Sequence, residues 1–304
     1  MPSNILLFPG QGSQFVGMGS DIYTKLPSAK SYYQIANEIL GIDIAEISFN
    51  GPEDLLRQTQ NTQPAIFTHS ICVFTYLKEI GISYDGTAGH SLGEFTALVA
   101  SGVLTFEDAL SLVKVRSQEM AKAGKIMPGT MAAIIGADND QIEKICQQDG
   151  VVVIANINAP GQIVISGEIP AISAAIETAK LLGVRRALPL NVSGAFHSPL
   201  MKPARIALSN AIESLTFNAP IVPIYQNATA QPVTDTEIIK SNLLLQLESP
   251  VRWVETIQNM KIDGHSSFIE IGPGKILQGL QKRIFPDSHV SSIGTLKQME
   301  EYAI

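Results

Sequence analysis

Short apolar runs alternate with longer amphipathic segments along most of the chain. Residues 5–8 form an apolar run that stops at the glycine-rich segment 9–13, which predicts a buried strand that enters a tight turn. A similar run at 267–271 precedes a Gly-Pro-Gly segment. Between these runs, apolar residues recur with a helical period in segments 63–80, 92–100 and 105–121. Strands that alternate with longer helices predict an α/β domain built on a parallel sheet.

The segment 127–194 has a different order of elements. Its pattern predicts strand, helix, strand, strand, helix and strand, at residues 130–135, 139–148, 151–156, 162–166, 169–182 and 186–192. The order βαββαβ is that of a ferredoxin-like fold. We therefore predict that residues 127–194 form a small subdomain inserted into the α/β domain.

Composition and charge exclude several classes of protein. With 304 residues, of which 45% are hydrophobic, the chain can bury a large core, and its net charge of −7 argues against nucleic-acid binding. Cys72 and Cys146 lie in no metal-binding or disulfide pattern. No apolar stretch approaches the roughly 20 residues of a membrane span, and no signal segment follows Met1. We expect a cytoplasmic, monomeric protein without membrane contact.

The segment Gly89-His90-Ser91-Leu92-Gly93 matches the G-x-S-x-G pattern of a nucleophile elbow. In such an elbow, a tight turn between a strand and a helix exposes the serine hydroxyl, and the crowded turn needs small residues around the serine. A five-residue pattern also arises by chance, so a glycine-rich turn with a solvent-facing serine is the alternative. The segment 83–88, which should be the preceding strand, is only weakly strand-like because it contains Asp85 and Gly86.

A nucleophilic serine needs a base, and histidine has the appropriate pKa. His90 adjoins the serine, but neighbours on a tight turn point in different directions, so we interpret it as a residue that braces the elbow. His197 lies where the small subdomain ends, and clefts form between subdomains. We therefore predict that His197 is the base for Ser91. The remaining histidines are interpreted as structural or surface residues: His69, His265 and His289.

Seven motifs resemble those of the malonyl-CoA:acyl carrier protein transacylase family. They occur in the family's order from Phe8 to Lys275, so the resemblance covers nearly the whole chain. Seven ordered matches do not arise by chance. The motifs are FPGQGSQ at 8–14, NTQPA at 61–65, GHSLGE at 89–94, NAPGQ at 158–162, GAFHS at 194–198, SPVRW at 249–253 and EIGPGK at 270–275.

The resemblance implies an α/β fold with a large hydrolase-like parallel-sheet domain and an inserted ferredoxin-like βαββαβ subdomain. The large domain would comprise residues 1–126 and 195–304, and the small one residues 127–194, which agrees with the pattern of elements. The family transfers malonyl groups through an acylated serine, which corresponds to Ser91, and its histidine base corresponds to His197.

Three further residues acquire catalytic roles from the resemblance. The main-chain carbonyl of Gln246 would orient His197 in place of the carboxylate of a Ser-His-Asp triad. The main-chain N–H groups of Gln11 and Leu92 would bind the oxyanion, and removing one such donor typically lowers a rate on the order of 100- to 1000-fold. An ordinary turn or a phosphate loop at Gln11 is a weaker interpretation, because the further glycine or lysine of such loops is missing.

Two residues bear on which acyl group is transferred. On its own, Arg116 would be an arginine on the surface of a helix, but the resemblance aligns it with the arginine that holds the malonyl carboxylate. A guanidinium binds a carboxylate through two parallel charge-assisted hydrogen bonds, which lysine cannot reproduce. Phe196 resembles the bulky residue of malonyl-selective members, so we predict malonyl over methylmalonyl; one methyl group is worth about 1–3 kcal/mol.

The resemblance implies malonyl-CoA as donor and the phosphopantetheine thiol of an acyl carrier protein as acceptor, with no metal or bound cofactor. Carrier proteins are acidic, so an acidic enzyme needs a local basic rim. We predict that Arg185, Arg186 and Lys275 form this rim, with Lys282 and Arg283 as a further pair. Ordinary surface charge is the alternative interpretation.

Two other functions fit the same scaffold. A hydrolase that removes acyl groups from carrier proteins would keep Ser91 and His197 but would have little use for Arg116. A docking protein without activity would have no reason to keep the catalytic residues. The motifs serve fatty-acid synthesis and polyketide synthesis alike, so both pathways stay open.

Overall fold

The computed structural model describes residues 4–303. Met1, Pro2 and Ser3, on which the expectation about a signal segment partly rests, and Ile304 lie outside the described residues. The strands are β1 (Asn4–Phe8), β2 (Tyr84–Gly89), β3 (Gly129–Ile135), β4 (Val152–Ala159), β5 (Gln162–Glu168), β6 (Arg186–Pro189), β7 (Ile224–Tyr225), β8 (Pro232–Val233), β9 (Ser267–Ile271) and β10 (His289–Ile293).

Helices fill most of the chain between the strands, and a 3-10 helix, Pro199–Ala204, leads into α10. Within residues 4–303, none of them combines the length and the apolar composition that crossing a bilayer requires. The α-helices are α1 (Ser20–Lys25), α2 (Pro27–Leu40), α3 (Ile44–Asn50), α4 (Glu53–Leu56), α5 (Thr59–Glu79), α6 (Gly93–Ala100), α7 (Phe106–Ile126), α8 (Asn139–Cys146), α9 (Ile169–Leu181), α10 (Arg205–Glu213), α11 (Thr236–Gln246), α12 (Trp253–Ile262), α13 (Ile276–Ile284) and α14 (Leu296–Tyr302).

The larger sheet has six strands in the order β10-β9-β1-β2-β7-β8. All neighbours are parallel except β7 and β8, which are antiparallel. In the central strand β1, Ile5 and Leu7 join one hydrophobic cluster, whereas Leu6 and Phe8 join another. Successive side chains of a strand point to opposite faces, so both faces of β1 are buried, which explains its uninterrupted apolar sequence.

The smaller sheet has four strands in the order β4-β5-β3-β6, and all its neighbours are antiparallel. Helices α8 and α9 pack on one face through an apolar cluster that includes Ile134, Ile142 and Ile172. This arrangement confirms the predicted fold class, a parallel-sheet domain with an inserted ferredoxin-like βαββαβ unit. The domain boundaries at 126/127 and 194/195 stay predictions.

A main-chain bridge connects the smaller sheet to the larger domain. Asn156 in β4 forms a parallel bridge with Val251, which follows α11. Val251 donates its N–H to the Ala155 carbonyl at 2.8 Å, and Ile157 donates its N–H to the Val251 carbonyl at 2.9 Å. The smaller sheet is therefore fixed to the larger domain at β4, and the cleft between them lies beside this bridge.

Two elements have bounds that differ from the sequence prediction. Helix α5 begins at Thr59 rather than at residue 63 and contains Pro64, which removes one helical hydrogen bond but is buried with most of its neighbours. Strand β6 ends at Pro189 rather than at residue 192. By contrast, β2 forms a strand despite Asp85 and Gly86, because β1 and β7 pair with it on both sides, although its register against β1 shifts at Asp85.

The elbow that joins β2 to α6 packs directly against the neighbouring main chain, which leaves no room for side chains at its glycines. A Cβ atom on Gly89 would lie 1.8 Å from the carbonyl carbon of Gly93. A Cβ atom on Gly93 would lie 2.0 Å from the Phe8 carbonyl oxygen, and one on Gly10 would lie 2.3 Å from the His90 carbonyl oxygen. The glycines at these positions are thus required by space.

We expect Gly89→Ala to lower the melting temperature and to prevent acylation of the elbow serine. Two main-chain segments would have to separate, and overpacking of this kind costs about 1–3 kcal/mol or more. Gly279→Ala in α13 is the matched control, because a Cβ atom there meets nothing within 4 Å. Calorimetry should show that Gly279→Ala is as stable as the parent or more stable. An unchanged melting temperature for Gly89→Ala would contradict the conclusion that space requires glycine at this position.

Candidate active site

Ser91 occupies the turn between β2 and α6 and has a positive φ of 52°. Only three non-glycine residues among the described residues 4–303 have positive φ, and His197 is another, at 56°. This conformation costs energy, so the surroundings have to hold it. Asn227, which follows the neighbouring strand β7, holds this conformation. Its Oδ1 accepts the Ser91 N–H at 2.6 Å, and its Nδ2 donates to the Gly89 carbonyl at 2.6 Å.

The hydroxyl of Ser91 contacts the ring of His197. The distance from Ser91 Oγ to His197 Nε2 is 2.8 Å, and His197 Nδ1 lies 2.8 Å from the main-chain oxygen of Gln246. Because a carbonyl only accepts, Nδ1 carries the proton and Nε2 is free to accept from the serine. Ser198, which caps the following 3-10 helix, fixes the turn by donating its hydroxyl to the Ala195 carbonyl at 2.6 Å.

His197 is held as a neutral imidazole. Burial lowers its pKa from 6.5 to about 3, and the positive charge of Arg116 adds to the effect, while the hydrogen bond to Gln246 opposes it. A lowered pKa means that the unprotonated ring persists as the pH falls below 6.5. The residue is therefore available as a proton acceptor at neutral and mildly acidic pH.

Arg116 projects from α7 into the same site and is only 1% exposed. Its NH2 donates to Ser91 Oγ at 3.0 Å and to Gln246 Oε1 at 2.9 Å, and its NH1 donates to Gln63 Oε1 at 2.7 Å. The guanidinium also lies over the ring of Phe95, 5.4 Å from its centroid. All its hydrogen-bond acceptors are neutral oxygens. Burial lowers its pKa to about 10, well above neutrality.

Glu94 lies behind the elbow, in the first turn of α6, and is fully buried. Its Oε2 accepts from the Asn227 N–H at 2.8 Å and from Gln246 Nε2 at 3.0 Å, and its Oε1 accepts from Gln226 Nε2 at 3.0 Å. Burial raises the pKa of Glu94 to about 7, while these donors and the charge of Arg116 act to lower it.

His90 braces the elbow from the side of the smaller sheet. Its Nε2 lies 2.8 Å from Asn158 Oδ1, and its ring packs on Trp253 with centroids 5.5 Å apart. Burial lowers the pKa of His90 below its ordinary value. His90 does not hydrogen-bond to Ser91, which agrees with the interpretation of His90 as a structural neighbour.

Gln11 and Leu92 both border the cavity above Ser91. Within the described residues 4–303, neither main-chain N–H group donates to an acceptor of the protein. Unpaired donors beside a nucleophile are what an oxyanion requires.

A cavity of about 400 Å³ opens between the two sheets and contains the reactive groups. Ser91, His197, Arg116 and Phe196 line it, and apolar residues from the face of the smaller sheet that points away from α8 and α9 form its other wall. Those apolar residues include Met131, Ala133 and Val164, and the segment after β6 adds Leu190 and Val192 to the wall. No cluster of histidine, cysteine, aspartate and glutamate in residues 4–303 has the arrangement of a metal site.

The predicted docking residues lie outside this cavity. Arg185, Arg186 and Lys275 are exposed at the surface and do not line it. Arg283 comes nearer, because it hydrogen-bonds to the side chain of Gln162, which lines the cavity, and donates to the Pro160 carbonyl at 2.9 Å.

Arg185 lies next to Gly136, which is hydrogen-bonded to the turn between β4 and β5. A Cβ atom on Gly136 would lie 2.9 Å from Arg185 Cβ, and Gly136 donates its N–H to the Gly161 carbonyl at 2.8 Å. Arg283 therefore contacts the β4–β5 turn directly, and Arg185 lies next to a residue that is hydrogen-bonded to this turn.

Sequence reasoning assigned no role to three residues that hold the site together. Gln63 and Glu94 lie inside motifs used for the resemblance, so their positions were visible but their contacts were not. Asn227 lies in no recognisable sequence motif.

The three histidines interpreted as structural or surface residues differ in their surroundings: His69 is fully buried, His265 is half-buried against Tyr225, and His289 is exposed.

The serine, its neutral histidine and the free main-chain donors are the parts that acyl transfer requires. The family model described as "Acyl transferase domain" matches residues 5–301. A curated relative from Bacillus subtilis, the malonyl CoA-acyl carrier protein transacylase, is 45% identical over 282 residues, 91% of this chain and 89% of the relative. The chain belongs to the malonyl CoA-acyl carrier protein transacylase family and is an acyltransferase.

Solved structures agree over the full length. The acyl-carrier-protein S-malonyltransferase of Bartonella henselae superposes with a TM-score of 0.95 at 39% identity, covering 99% of this chain and 98% of that one. A malonyl-transacylase in complex with a type II PKS acyl-carrier protein superposes with a TM-score of 0.94 at 37% identity, covering 98% of each chain.

We expect His197 to stay neutral in the folded protein down to about pH 5, because its pKa lies far below 6.5. Nitrogen-detected NMR of the ring, assigned with His197→Asn, would report a protonated Nδ1 and an unprotonated Nε2 across this range. The chain unfolded in urea is the control, and there the ring should titrate near its ordinary value. A midpoint between about pH 6 and 7 in the folded protein would contradict the burial argument.

Proposed function

We propose that the chain transfers a malonyl group from malonyl-CoA to the phosphopantetheine thiol of an acyl carrier protein through a malonyl-Ser91 ester. One observation carries the proposal: Ser91 Oγ contacts both a neutral base, His197, and a buried cation, Arg116. The base accounts for a covalent acyl transfer, and the cation accounts for an acyl group with a free carboxylate. Family membership supports the same reaction.

In the first half of the reaction, His197 Nε2 takes the proton of Ser91 Oγ as this oxygen attacks the thioester carbonyl. The negative charge that develops on the carbonyl oxygen is stabilised by the N–H groups of Gln11 and Leu92. The carbon–sulfur bond then breaks, and the imidazolium returns the proton to the leaving sulfur. The products are free CoA and malonyl-Ser91.

The second half runs the same steps in reverse order with a different thiol. The carrier-protein thiol gives its proton to His197, its sulfur attacks the ester of Ser91, and the protonated imidazole returns the proton to Ser91 Oγ. The Gln246 carbonyl keeps Nδ1 protonated throughout, so Nε2 is the only ring atom that exchanges a proton. The scheme needs only these protein groups, malonyl-CoA and the carrier-protein thiol.

Arg116 selects an acyl group with a carboxylate. The malonyl carboxylate is one methylene away from the reacting carbonyl, so a guanidinium that reaches Ser91 Oγ also reaches this carboxylate. Gln63 and Gln246 fix the guanidinium through neutral oxygens, which leaves its charge uncompensated by a direct ion pair. Phe196 borders the cavity beside His197, where it restricts the room for a branched acyl group.

The decisive experiment is to incubate the protein with malonyl-CoA and a carrier protein and to follow both by intact-protein mass spectrometry. We expect a malonyl adduct on Ser91 that disappears when carrier protein is added, with the malonyl group recovered on the carrier. Arg116→Ala should lower kcat/KM for malonyl-CoA by roughly 30-fold or more relative to acetyl-CoA, because losing a buried charge contact costs about 2 kcal/mol or more.

Ser91→Ala, which should form no adduct, is the control for the site of acylation. Free malonate in place of malonyl-carrier would identify a hydrolase and overturn the transfer reaction. Absence of any adduct on the parent protein would exclude the covalent mechanism.

The carrier protein docks, in this proposal, on exposed basic residues outside the cavity. The solved complex of a related malonyl-transacylase with an acyl-carrier protein supports a carrier as partner. Arg185, Arg186, Lys275 and Arg283 are exposed, and Arg283 is connected to the cavity through Gln162. An acidic carrier would approach these cations even though the enzyme has a net charge of −7.

We expect the double charge reversal Arg185→Glu with Arg186→Glu to raise KM for the carrier protein about 3- to 10-fold at low salt, with kcat and KM for malonyl-CoA unchanged. The effect should shrink at high salt, because exposed charges are screened. Lys25→Glu with Lys30→Glu, two exposed lysines of α1 and α2, is the matched control. Equal KM changes in the two double variants would argue for a general charge effect and against this docking rim.

A further inference from the structure

Glu94 is a carboxylate that the reaction scheme does not use. It is fully buried, it does not line the cavity, and it cannot touch a substrate. Burying a carboxylate is costly unless its oxygens receive hydrogen bonds. The donors to Glu94 are Gln226, Asn227 and Gln246, and Asn227 and Gln246 also contact the elbow. The role of the carboxylate can therefore be inferred from what its donors hold.

One oxygen of Glu94 controls the elbow through Asn227. Glu94 Oε2 accepts the Asn227 N–H at 2.8 Å, which fixes the main chain of that residue. The Asn227 side chain then holds both peptide groups of the elbow, the Gly89 carbonyl and the Ser91 N–H, each at 2.6 Å. The strained conformation of Ser91 is thus held by a residue whose own position depends on Glu94.

The same oxygen sets the orientation of the Gln246 carboxamide. Gln246 Nε2 faces two groups that only accept, Glu94 Oε2 at 3.0 Å and the Ser91 carbonyl at 3.1 Å. Gln246 Oε1 faces Arg116, which only donates. Rotating the carboxamide by half a turn would oppose oxygen to oxygen and N–H to N–H, so a single orientation is allowed.

The other oxygen of Glu94 receives a chain of amides. Gln226 Nε2 donates to Glu94 Oε1 at 3.0 Å and to the Ile239 carbonyl at 3.2 Å, and Gln226 Oε1 accepts from Asn242 Nδ2 at 2.8 Å. This chain fixes the direction of each amide, with every donor pointing towards the carboxylate. A neutral amide at position 94 would oppose its own N–H groups either to the Gln226 N–H or to the N–H groups of Asn227 and Gln246.

We propose that Glu94 is a positioning residue of the transfer reaction, which holds the Ser91 elbow through Asn227 and aims Arg116 at the acyl group through the Gln246 carboxamide. This inference rests on the proposed function, since the role of Arg116 is to bind the malonyl carboxylate. The interposed amide also has an electrostatic consequence. The ionised form of Glu94, which all its hydrogen-bond donors favour, offsets part of the charge of the buried guanidinium from a distance, without occupying the N–H groups that a substrate carboxylate needs.

The first test measures Ser91 reactivity without any acyl donor. A fluorophosphonate reagent phosphonylates an activated serine, so its labelling rate reports the reactivity of Ser91 independently of any acyl donor. We expect Glu94→Gln to slow labelling of Ser91 on the order of 10-fold, because the elbow loses its support. Glu270→Gln is the matched control: Glu270 is equally buried but accepts only main-chain N–H groups at the start of α13, including those of Leu277 and Gln278.

If Glu94→Gln labels as fast as the parent protein, or if Glu270→Gln slows labelling equally, Glu94 does not act on the elbow and the proposal is overturned. This outcome does not depend on whether malonyl-CoA is the substrate. Thermal unfolding of both variants shows whether the two buried carboxylates contribute comparably to stability.

The second test asks whether Glu94 acts on Arg116 through Gln246. The quantity measured is the ratio of kcat/KM for acylation of Ser91 by malonyl-CoA and by acetyl-CoA, in Glu94→Gln, in Gln246→Met and in the double variant. Gln246→Met removes the carboxamide but keeps the main-chain carbonyl that binds His197. We expect each single variant to lower the ratio on the order of 10-fold and the double variant to lower it no further.

Losses that multiply in the double variant, or an unchanged ratio in Glu94→Gln, would overturn the connection through Gln246. A merely structural role for Glu94 would lower both rates without changing their ratio. Failure of the parent protein to form malonyl-Ser91 would instead contradict the proposed function, and the fluorophosphonate experiment would still decide the role of Glu94 at the elbow.

Discussion

The hydrogen bonds of a single oxygen, Ser91 Oγ, set the requirements for the rest of the site. This oxygen contacts a neutral imidazole at 2.8 Å and a guanidinium at 3.0 Å, both almost entirely buried. A cation beside a base keeps that base unprotonated, and burial strengthens the effect. The site therefore needs a histidine that is oriented without a carboxylate next to it, and the Gln246 carbonyl meets this need. A carboxylate in its place would raise the pKa of the imidazole and oppose this effect.

The fold supplies these groups from elements that are far apart in sequence but adjacent in space. Ser91 follows a central strand of the parallel sheet, where the carboxyl ends of such strands commonly form binding sites. Arg116 comes from α7, His197 from the segment after the smaller sheet, and Gln246 from the last residue of α11. The smaller sheet adds apolar side chains to the cavity wall, including Met131, Ala133 and Val164.

The reactive pair could be predicted because each member has a local signature, a glycine-flanked elbow for Ser91 and a position between subdomains for His197. The order of strands and helices gave the ferredoxin-like unit for the same reason, since periodicity is a local property. Asn227 could not be predicted, because its importance lies in contacts with residues more than a hundred positions away. Helix α5 begins at Thr59, before the predicted segment 63–80, and burial outweighs the local preference against proline inside a helix at Pro64.

The bridge between Asn156 and Val251 has a mechanical consequence. Val251 follows the end of α11 closely, and α11 ends at Gln246, whose carbonyl holds His197. The segment 246–251 thus runs from the catalytic base to the smaller sheet. A rotation that widened the cleft to admit a long phosphopantetheine arm would pull on this segment and, through it, on the imidazole. The width of the cleft and the orientation of the His197 ring are therefore mechanically coupled.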